Sequence, residues 1–340
     1  MPVATPDQYE RIFDAAAAGG YALAAVNVSS SETLNAALRG FADAGADGIV
    51  QITTGAAGFL SGSRTQDMAA GAEAFACFAR TVAERSPVFV GLHTDHCPPE
   101  HLEAFVTPLL DESLARAERG EPPLFNSHMF DGSTLDLEAN LTTSARLLEL
   151  CRRAGAMLEV ECGAIGGEED GIVGASERSE LYTSTEDLLR VAEVLGTGER
   201  GRYLLAATFG NVHGVHPPGD VELRPAILRE GQEAVAARHP GARFDYVFHG
   251  GSGSSLADVE EAISYGVVKV NVDSDLQYAF SRAVAGHMFE NYDGVLKTDG
   301  VGAKSSYDPR SWGRKAEEAM AGRVAGLCRQ FGSAGKSLIG

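Results

Sequence analysis

Short apolar, β-branched runs recur along the chain, and each is followed by a stretch in which apolar residues return at helical spacing. The runs cover residues 24–28, 48–53, 88–94, 124–129, 157–162, 204–209, 246–249 and 267–272. The helical stretches cover 32–44, 66–85, 136–154, 185–195, 224–237, 256–265 and 276–290. Ser29 followed by Glu32 has the spacing of a capping box, which marks a strand-to-helix junction. Strands that alternate with helices, without runs of hairpins, predict a parallel sheet of the α/β class. Eight such units favour a closed (β/α)8 TIM barrel over an open sheet. An open doubly wound sheet is disfavoured because no G-x-G-x-x-G turn follows the first strand. Helices over 6–18 and 309–331 fall outside the repeat and are expected to cover barrel surfaces. No low-complexity segment or linker divides the chain, so residues 1–340 read as a single barrel domain. Two segments, 163–183 and 293–308, are too polar and Gly-rich for helix. Both read as long loops placed to close over the C-terminal face of the barrel.

Composition narrows the setting. A chain of 340 residues with 44% hydrophobic content has ample material for a large core. No apolar run is long enough to span a membrane, and no basic flank leads into an apolar stretch at the N-terminus, so the expected location is the cytoplasm. Cys77, Cys97, Cys151, Cys162 and Cys328 are odd in number and scattered, which predicts reduced thiols. Four read as core residues, and Cys97 stands apart because it follows His96. The net charge of −19 disfavours nucleic-acid and anionic-membrane partners. A phosphorylated ligand would have to be gripped locally, by backbone N–H groups and a few cations.

The apolar runs end on an unusual set of polar residues. In chain order these are Asn27, Thr53, Asp95 with His96, Asp131, Glu161, His213, His249 with Gly250 and Gly251, and Asn271 with Asp273. In a barrel, active-site groups come from the C-terminal ends of several strands. One buried histidine is more often a hydrogen-bonded core residue than a ligand. Three at equivalent positions of separate strands, with a carboxylate beside one of them, predict a divalent-metal site. Asp95 adjoins His96 and should point differently from it, free to act as acid or base or to orient an imidazole. Glu161 alternates with Glu159 along an apolar strand, where metal contact and a hydrogen-bonded structural role are equally open. Glu168 and Glu169 lie on the Gly-rich loop, from which one could swing in as a base. His-Gly-Gly-Ser-Gly-Ser at 249–254 precedes a predicted helix and has the character of an anion nest. Asn271, Asp273 and Ser274 could complete that nest, and Arg310 is a second candidate anion contact.

At these residues the sequence resembles the class II, metal-dependent fructose-1,6-bisphosphate aldolases. The resemblance runs nearly end to end. It is carried by His-Thr-Asp-His-Cys at 93–97, Ser-His-Met-Phe-Asp at 127–131, Gly-Gly-Glu-Glu-Asp-Gly at 166–171, Phe-Gly-Asn-Val-His-Gly at 209–214, Phe-His-Gly-Gly-Ser-Gly at 248–253 and Asn-Val-Asp at 271–273. It implies a (β/α)8 barrel, a homodimer or homotetramer, that cleaves fructose 1,6-bisphosphate into dihydroxyacetone phosphate and glyceraldehyde 3-phosphate in glycolysis. It further implies that His96, His213 and His249 bind a catalytic zinc, with Glu161 near an alternative metal position. Asp95 would move the proton of the C4 hydroxyl and Glu169 the α-proton of the ketone product, with Asp131 assisting. Gly214, Gly250, Ser252, Asp273 and Ser274 would hold the ketone phosphate, and Asn271 its reacting end. Asn27 and Arg310 would face the far phosphate, with Thr53 on the same side. A monovalent cation, Na+ or K+, would sit on carbonyls around Val212, Gly214, Gly250 and Ser252. The chain departs from the family pattern at Gln51-Ile52-Thr53-Thr54-Gly55-Ala56, at Leu23 and Ala24, and at Ser274. The first two departures lie on the aldehyde side, which leaves open a related aldolase that joins dihydroxyacetone phosphate to another aldehyde, as from tagatose 1,6-bisphosphate.

Overall fold

The computed structural model describes residues 2–163, 168–169, 172–173, 181–211, 222–250 and 254–339, with backbone only at 168–169 and 172–173. Its strands are β1 (Leu23–Asn27), β2 (Gly48–Ile52), β3 (Val90–Thr94), β4 (Ser127–Phe130), β5 (Met157–Cys162), β6 (Glu168–Glu169), β7 (Ile172–Val173), β8 (Tyr203–Ala207), β9 (Tyr246–Phe248) and β10 (Val267–Val272). Eight of them form a closed parallel barrel in the order β1, β2, β3, β4, β5, β8, β9, β10, with β10 pairing back to β1. The eight apolar runs are these eight strands, displaced by at most three residues at any end. β6 and β7 form a separate antiparallel pair within the Gly-rich segment.

Burial follows the two sides of the barrel wall. Outward-facing residues such as Val26, Val50, Leu92, Val160 and Leu205 join the surrounding helices in one large core. Inward-facing Leu23, Ala25, Ile49, Met157, Leu204, Ala206, Val247 and Val268 form a second cluster with Tyr9, Ile12, Phe13 and Ala16. These last four lie on α1 (Pro6–Gly19), which starts at a Thr5 capping box and ends at a left-handed Gly20. α1 therefore closes the barrel floor with apolar side chains, leaving polar residues for the upper interior.

Several local expectations are corrected. Ser30, not Ser29, caps the helix Ser31–Ala44, because Thr33 rather than Glu32 returns the hydrogen bond to the cap backbone. Helices Val106–Glu118 and Thr54–Leu60 were not anticipated, the first with Pro108 in its opening turn and the second with two glycines in seven residues. Segment 293–308 is not a plain loop: it overlaps the helix Tyr292–Leu296 and holds Lys304–Tyr307, joined by a turn in which Asp299 Oδ1 accepts from the Val301 and Gly302 amides. Cys77 is exposed rather than part of the core, while Cys97, Cys151, Cys162 and Cys328 are buried, and all five thiols are free. Among the described residues, no helix is long and apolar enough to cross a membrane.

Candidate active site

Parallel register brings the polar strand ends to one level. Asn27 pairs with Gln51, and Gln51, His93, Ser127 and Met157 follow one another across β2, β3, β4 and β5. Because side chains alternate along a strand, Glu159 and Glu161 enter the interior together, as do His93 and Asp95, and Lys269 and Asn271. On β10 the alternation breaks once: Val268 packs in the apolar floor while its neighbour Lys269 reaches the polar layer, and the register with β9 shifts between Val267 and Lys269.

Asp95 is fully buried and is the hub of the mouth. Its Oδ2 accepts from Asn27 Nδ2 at 2.9 Å and Gln51 Nε2 at 2.8 Å, and its Oδ1 accepts from Asn271 Nδ2 at 3.2 Å. Gln51 also donates to Asn27 Oδ1 at 2.5 Å. Three amides from three strands thus fix both carboxylate oxygens. The next residue, His96, has φ +27°, a left-handed conformation that a histidine rarely adopts. This sharp turn lets Asp95 and His96 both contribute an atom to one cluster with His249, all within 4.8 Å of one another.

The two imidazoles lie with ring centroids 4.8 Å apart at 57°. His96 Nδ1 is 3.3 Å from Asp131 Oδ2 and 3.8 Å from Glu161 Oε2. His249 Nδ1 is 3.4 Å from the same Glu161 oxygen, and its Nε2 is 2.8 Å from Glu159 Oε1. Burial lowers the pKa of His249, but hydrogen bonds to Glu159 and Glu161 outweigh it and raise the value to about 9. Burial would raise that of Asp131, but His96 and Ser133 hold it well below the carboxylate range. Glu161 moves upward, driven by burial and by the nearby charge of Asp131. These opposed shifts mark a packed group of acids and bases, the pattern expected of a functional site.

Below this cluster lies a polar layer. Lys269 Nζ sits 2.8 Å from Glu159 Oε2 and donates to Asn271 Oδ1 at 2.7 Å. Burial opposes the charge of Glu159, yet Lys269, His93 and His249 hold its pKa far below normal. His93 Nδ1 meets Ser127 Oγ at 2.8 Å, and Ser127 Oγ meets the Tyr9 hydroxyl of α1 at 2.8 Å. Burial, then the charge of Lys269, push the pKa of His93 well down.

A model of the family described as fructose-bisphosphate aldolase class-II matches residues 7–336. The chain belongs to the class II fructose-bisphosphate aldolase family. It is 56% identical to the fructose-bisphosphate aldolase of Streptomyces galbus over 340 residues, covering 99% of this chain and 100% of that one. It is 54% identical to that of Mycobacterium tuberculosis over 344 residues, covering 99% of both. The crystal structure of the Campylobacter jejuni fructose-bisphosphate aldolase superposes with a TM-score of 0.84 at 34% identity, over 98% of this chain and 97% of that one. The protein is therefore a carbon–carbon lyase acting on a phosphorylated sugar.

Class II aldolases are metal-dependent, and the residues present fit a divalent ion. Asp95, His96 and His249, and also His96, Asp131 and Glu161, are buried groups whose donor atoms lie within 4.8 Å of one another. Imidazole nitrogens with carboxylate oxygens are a donor set that zinc and its neighbours accept.

The structure unites Asn27, Asp95, His96, Asp131, Glu161, His249 and Asn271. Asp273 and Ser274 stand at the start of the helix Ser274–Glu290, where the Asp273 side chain accepts from Gln277 Nε2. Gly250 has φ +68°, a conformation suited to glycine, just after β9. Thr53 is buried and caps Thr54–Leu60 by accepting from the Ala56 amide. Arg310 is not drawn into the cluster: it is 77% exposed and bonds Asp308 at the start of the last helix. Val212, His213, Gly214 and Ser252, and the side chain of Glu169, lie outside the described residues. Cys97 is apart from the metal groups, its thiol pushed up to about 12 by burial.

Gln51, His93, Ser127, Glu159 and Lys269 are the site neighbours that sequence reasoning left unassigned. For Lys269 a signal existed: Lys269, Asn271 and Asp273 are alternate polar positions in an otherwise apolar run.

Proposed function

We propose that this aldolase reversibly cleaves fructose 1,6-bisphosphate between C3 and C4 with a zinc ion held by His96, His213 and His249, and with Glu161 at an alternative metal position. The observation that carries this reading is the convergence of His96, His249 and Glu161 beside an Asp95 whose two oxygens are held by three amides. A bound divalent cation supplies Lewis acidity where negative charge develops on the ketone half.

The chain's own residues handle the protons. Asp95 takes the proton of the C4 hydroxyl as the C3–C4 bond breaks, so that C4 leaves as the aldehyde carbonyl. The bonding electron pair stays with the ketone half, and Glu169 returns a proton to C3, which completes dihydroxyacetone phosphate. In the opposite direction the same two groups act in reverse order. Asn271 orients the reacting end of the ketone, and Asp131 holds His96. Gly214, Gly250, Ser252, Asp273 and Ser274 take the ketone phosphate, with Na+ or K+ on the carbonyls of Val212, Gly214, Gly250 and Ser252. Asn27, Thr53 and Arg310 serve the aldehyde half. The reading places the enzyme in glycolysis, in the cytoplasm, as a single-domain subunit of a homodimer or homotetramer.

Cleavage rates for the fructose and tagatose bisphosphates, measured side by side with and without chelator, test it. Chelator-sensitive cleavage with a clear preference for the fructose substrate is expected. Chelator-insensitive cleavage by fully metal-loaded protein, or a preference for tagatose 1,6-bisphosphate, overturns it.

A further inference from the structure

Lys269 is a fully buried ammonium on β10, between the apolar barrel floor and the polar mouth. Such a group is costly unless its donors are used. Here two of them are committed in different directions. One faces Glu159 Oε2 at 2.8 Å, and the other donates to Asn271 Oδ1 at 2.7 Å. Each partner continues to a different functional group. The second oxygen of Glu159 contacts His249 Nε2 at 2.8 Å, which leaves Nδ1 of that ring on the side of His96 and Glu161. The occupied Oδ1 of Asn271 leaves its Nδ2 to donate to Asp95 Oδ1 at 3.2 Å. Because Nζ can only donate, the Asn271 amide is assigned with its oxygen toward Lys269 and its nitrogen toward Asp95.

We propose that Lys269 is a positioning residue that sets two groups at once: the ring of His249, through Glu159, and the carboxylate of Asp95, through Asn271. The proposal rests on the reading above in which His249 is a metal ligand and Asp95 the base. Lys269 is assigned neither to the metal nor to the substrate in that reading. Its role follows from geometry: one cation placed where two polar branches meet. A histidine ligand keeps its aim through the partner on its other nitrogen, and losing such a partner typically weakens metal binding about 10–100-fold.

The test uses full-length protein stripped of metal, with Zn2+ and Co2+ titrated against a chromophoric chelator and cleavage kinetics measured on reloaded protein. Lys269→Met keeps the stem and removes the donors. Its expected result is one ion per chain bound about 10–100-fold more weakly, and a fall in kcat with KM changed by less than about three-fold. Since this variant leaves Glu159 buried beside an apolar chain, Glu159→Gln is combined with it to remove the uncompensated charge. The double variant should melt close to wild type while metal affinity and kcat stay low. Recovery of affinity together with stability would make Lys269 a structural residue only and overturn the proposal. So would a Lys269→Met protein whose affinity and kcat lie within about two-fold of wild type. If the single variant does not fold, the double variant is compared with Glu159→Gln alone: a further loss of affinity when Lys269 is also removed supports the proposal, and equal affinities overturn it. His249→Ala separates the two readings: if wild-type metal binding survives that change, the ligand reading falls and the proposal with it. Binding that needs His249 but ignores Lys269 overturns the proposal alone.

Discussion

Replacing Asp95 by Asn changes the hub of the site with almost no change in shape. Asp95 accepts three amide hydrogen bonds, two on Oδ2 from Asn27 and Gln51 and one on Oδ1 from Asn271. An asparagine must present an NH2 group on one side. The cheaper orientation places it at the Oδ1 position, so that one amide contact is lost and two are kept. One unsatisfied buried polar contact costs about 1–3 kcal/mol of stability, so Asp95→Asn should fold and should still take up metal. The catalytic loss is larger. Removing a positioned general base costs about 10²–10⁴-fold in rate, or roughly 3–5 kcal/mol in the barrier. The coupled cleavage assay should show kcat falling by that factor at matched metal content. Hydrogen–tritium exchange at the ketone α-carbon, assigned to Glu169, should persist within about ten-fold of wild type. A kcat reduced by less than about ten-fold, or exchange and cleavage lost in equal measure, would refute the division of labour between these two carboxylates.

Three further outcomes are expected. His128 is fully buried, and burial lowers its pKa to about 3, so between there and its unfolded value near 6.5 the unfolded chain binds the extra proton. Stability is complete above that window and lost as pH falls through it; by denaturant titration the wild-type advantage over His128→Asn should shrink by about 1.4 kcal/mol per pH unit, and a pH-independent difference contradicts this. Chelation should lower the melting temperature as well as the activity, because an ion bound only by the folded chain at 1,000 times its Kd contributes about 4 kcal/mol; identical melting with and without chelator argues against a tight site. Gly71→Ala places a methyl group against the Ala57 carbonyl oxygen, where the helices Thr54–Leu60 and Met68–Ala83 meet, and should lower the denaturation midpoint by an amount worth about 1–3 kcal/mol at unchanged m-value.

The barrel was legible because its strands are buried and β-branched while the intervening helices repeat every three to four residues, and those two periods do not mimic each other. Helix Val106–Glu118 escaped notice because Pro108 and a polar surface mask its periodicity, although Leu109, Leu110 and Ser113 bury one face. Chemical residues at strand ends, such as Asp95, His96, Glu161, His249 and Asn271, stood out because polar side chains interrupt apolar runs there. Gln51 and His93 have the same character but lie inside their runs, where the bland reading of a hydrogen-bonded core residue prevails. What connects them is cross-strand register, and that exists only once the barrel closes. The position of Lys269 depends further on the shift in pairing between β9 and β10, which is a property of two strands and not of either alone.

The N-terminal helix has a bearing on the chemistry above it. Tyr9, Ile12, Phe13 and Ala16 stopper one end of the barrel, and the Tyr9 hydroxyl passes a polar contact upward, to Ser127. Among the described residues the floor of the site is closed, so water, protons and sugar phosphates are expected to trade through the rim above. Beneath the Glu159–Lys269 pair the medium is apolar, so the field of that pair is screened less than it would be above water. A substitution in α1 that admits water would act as an electrical leak: it would retune the mouth without touching a single residue there.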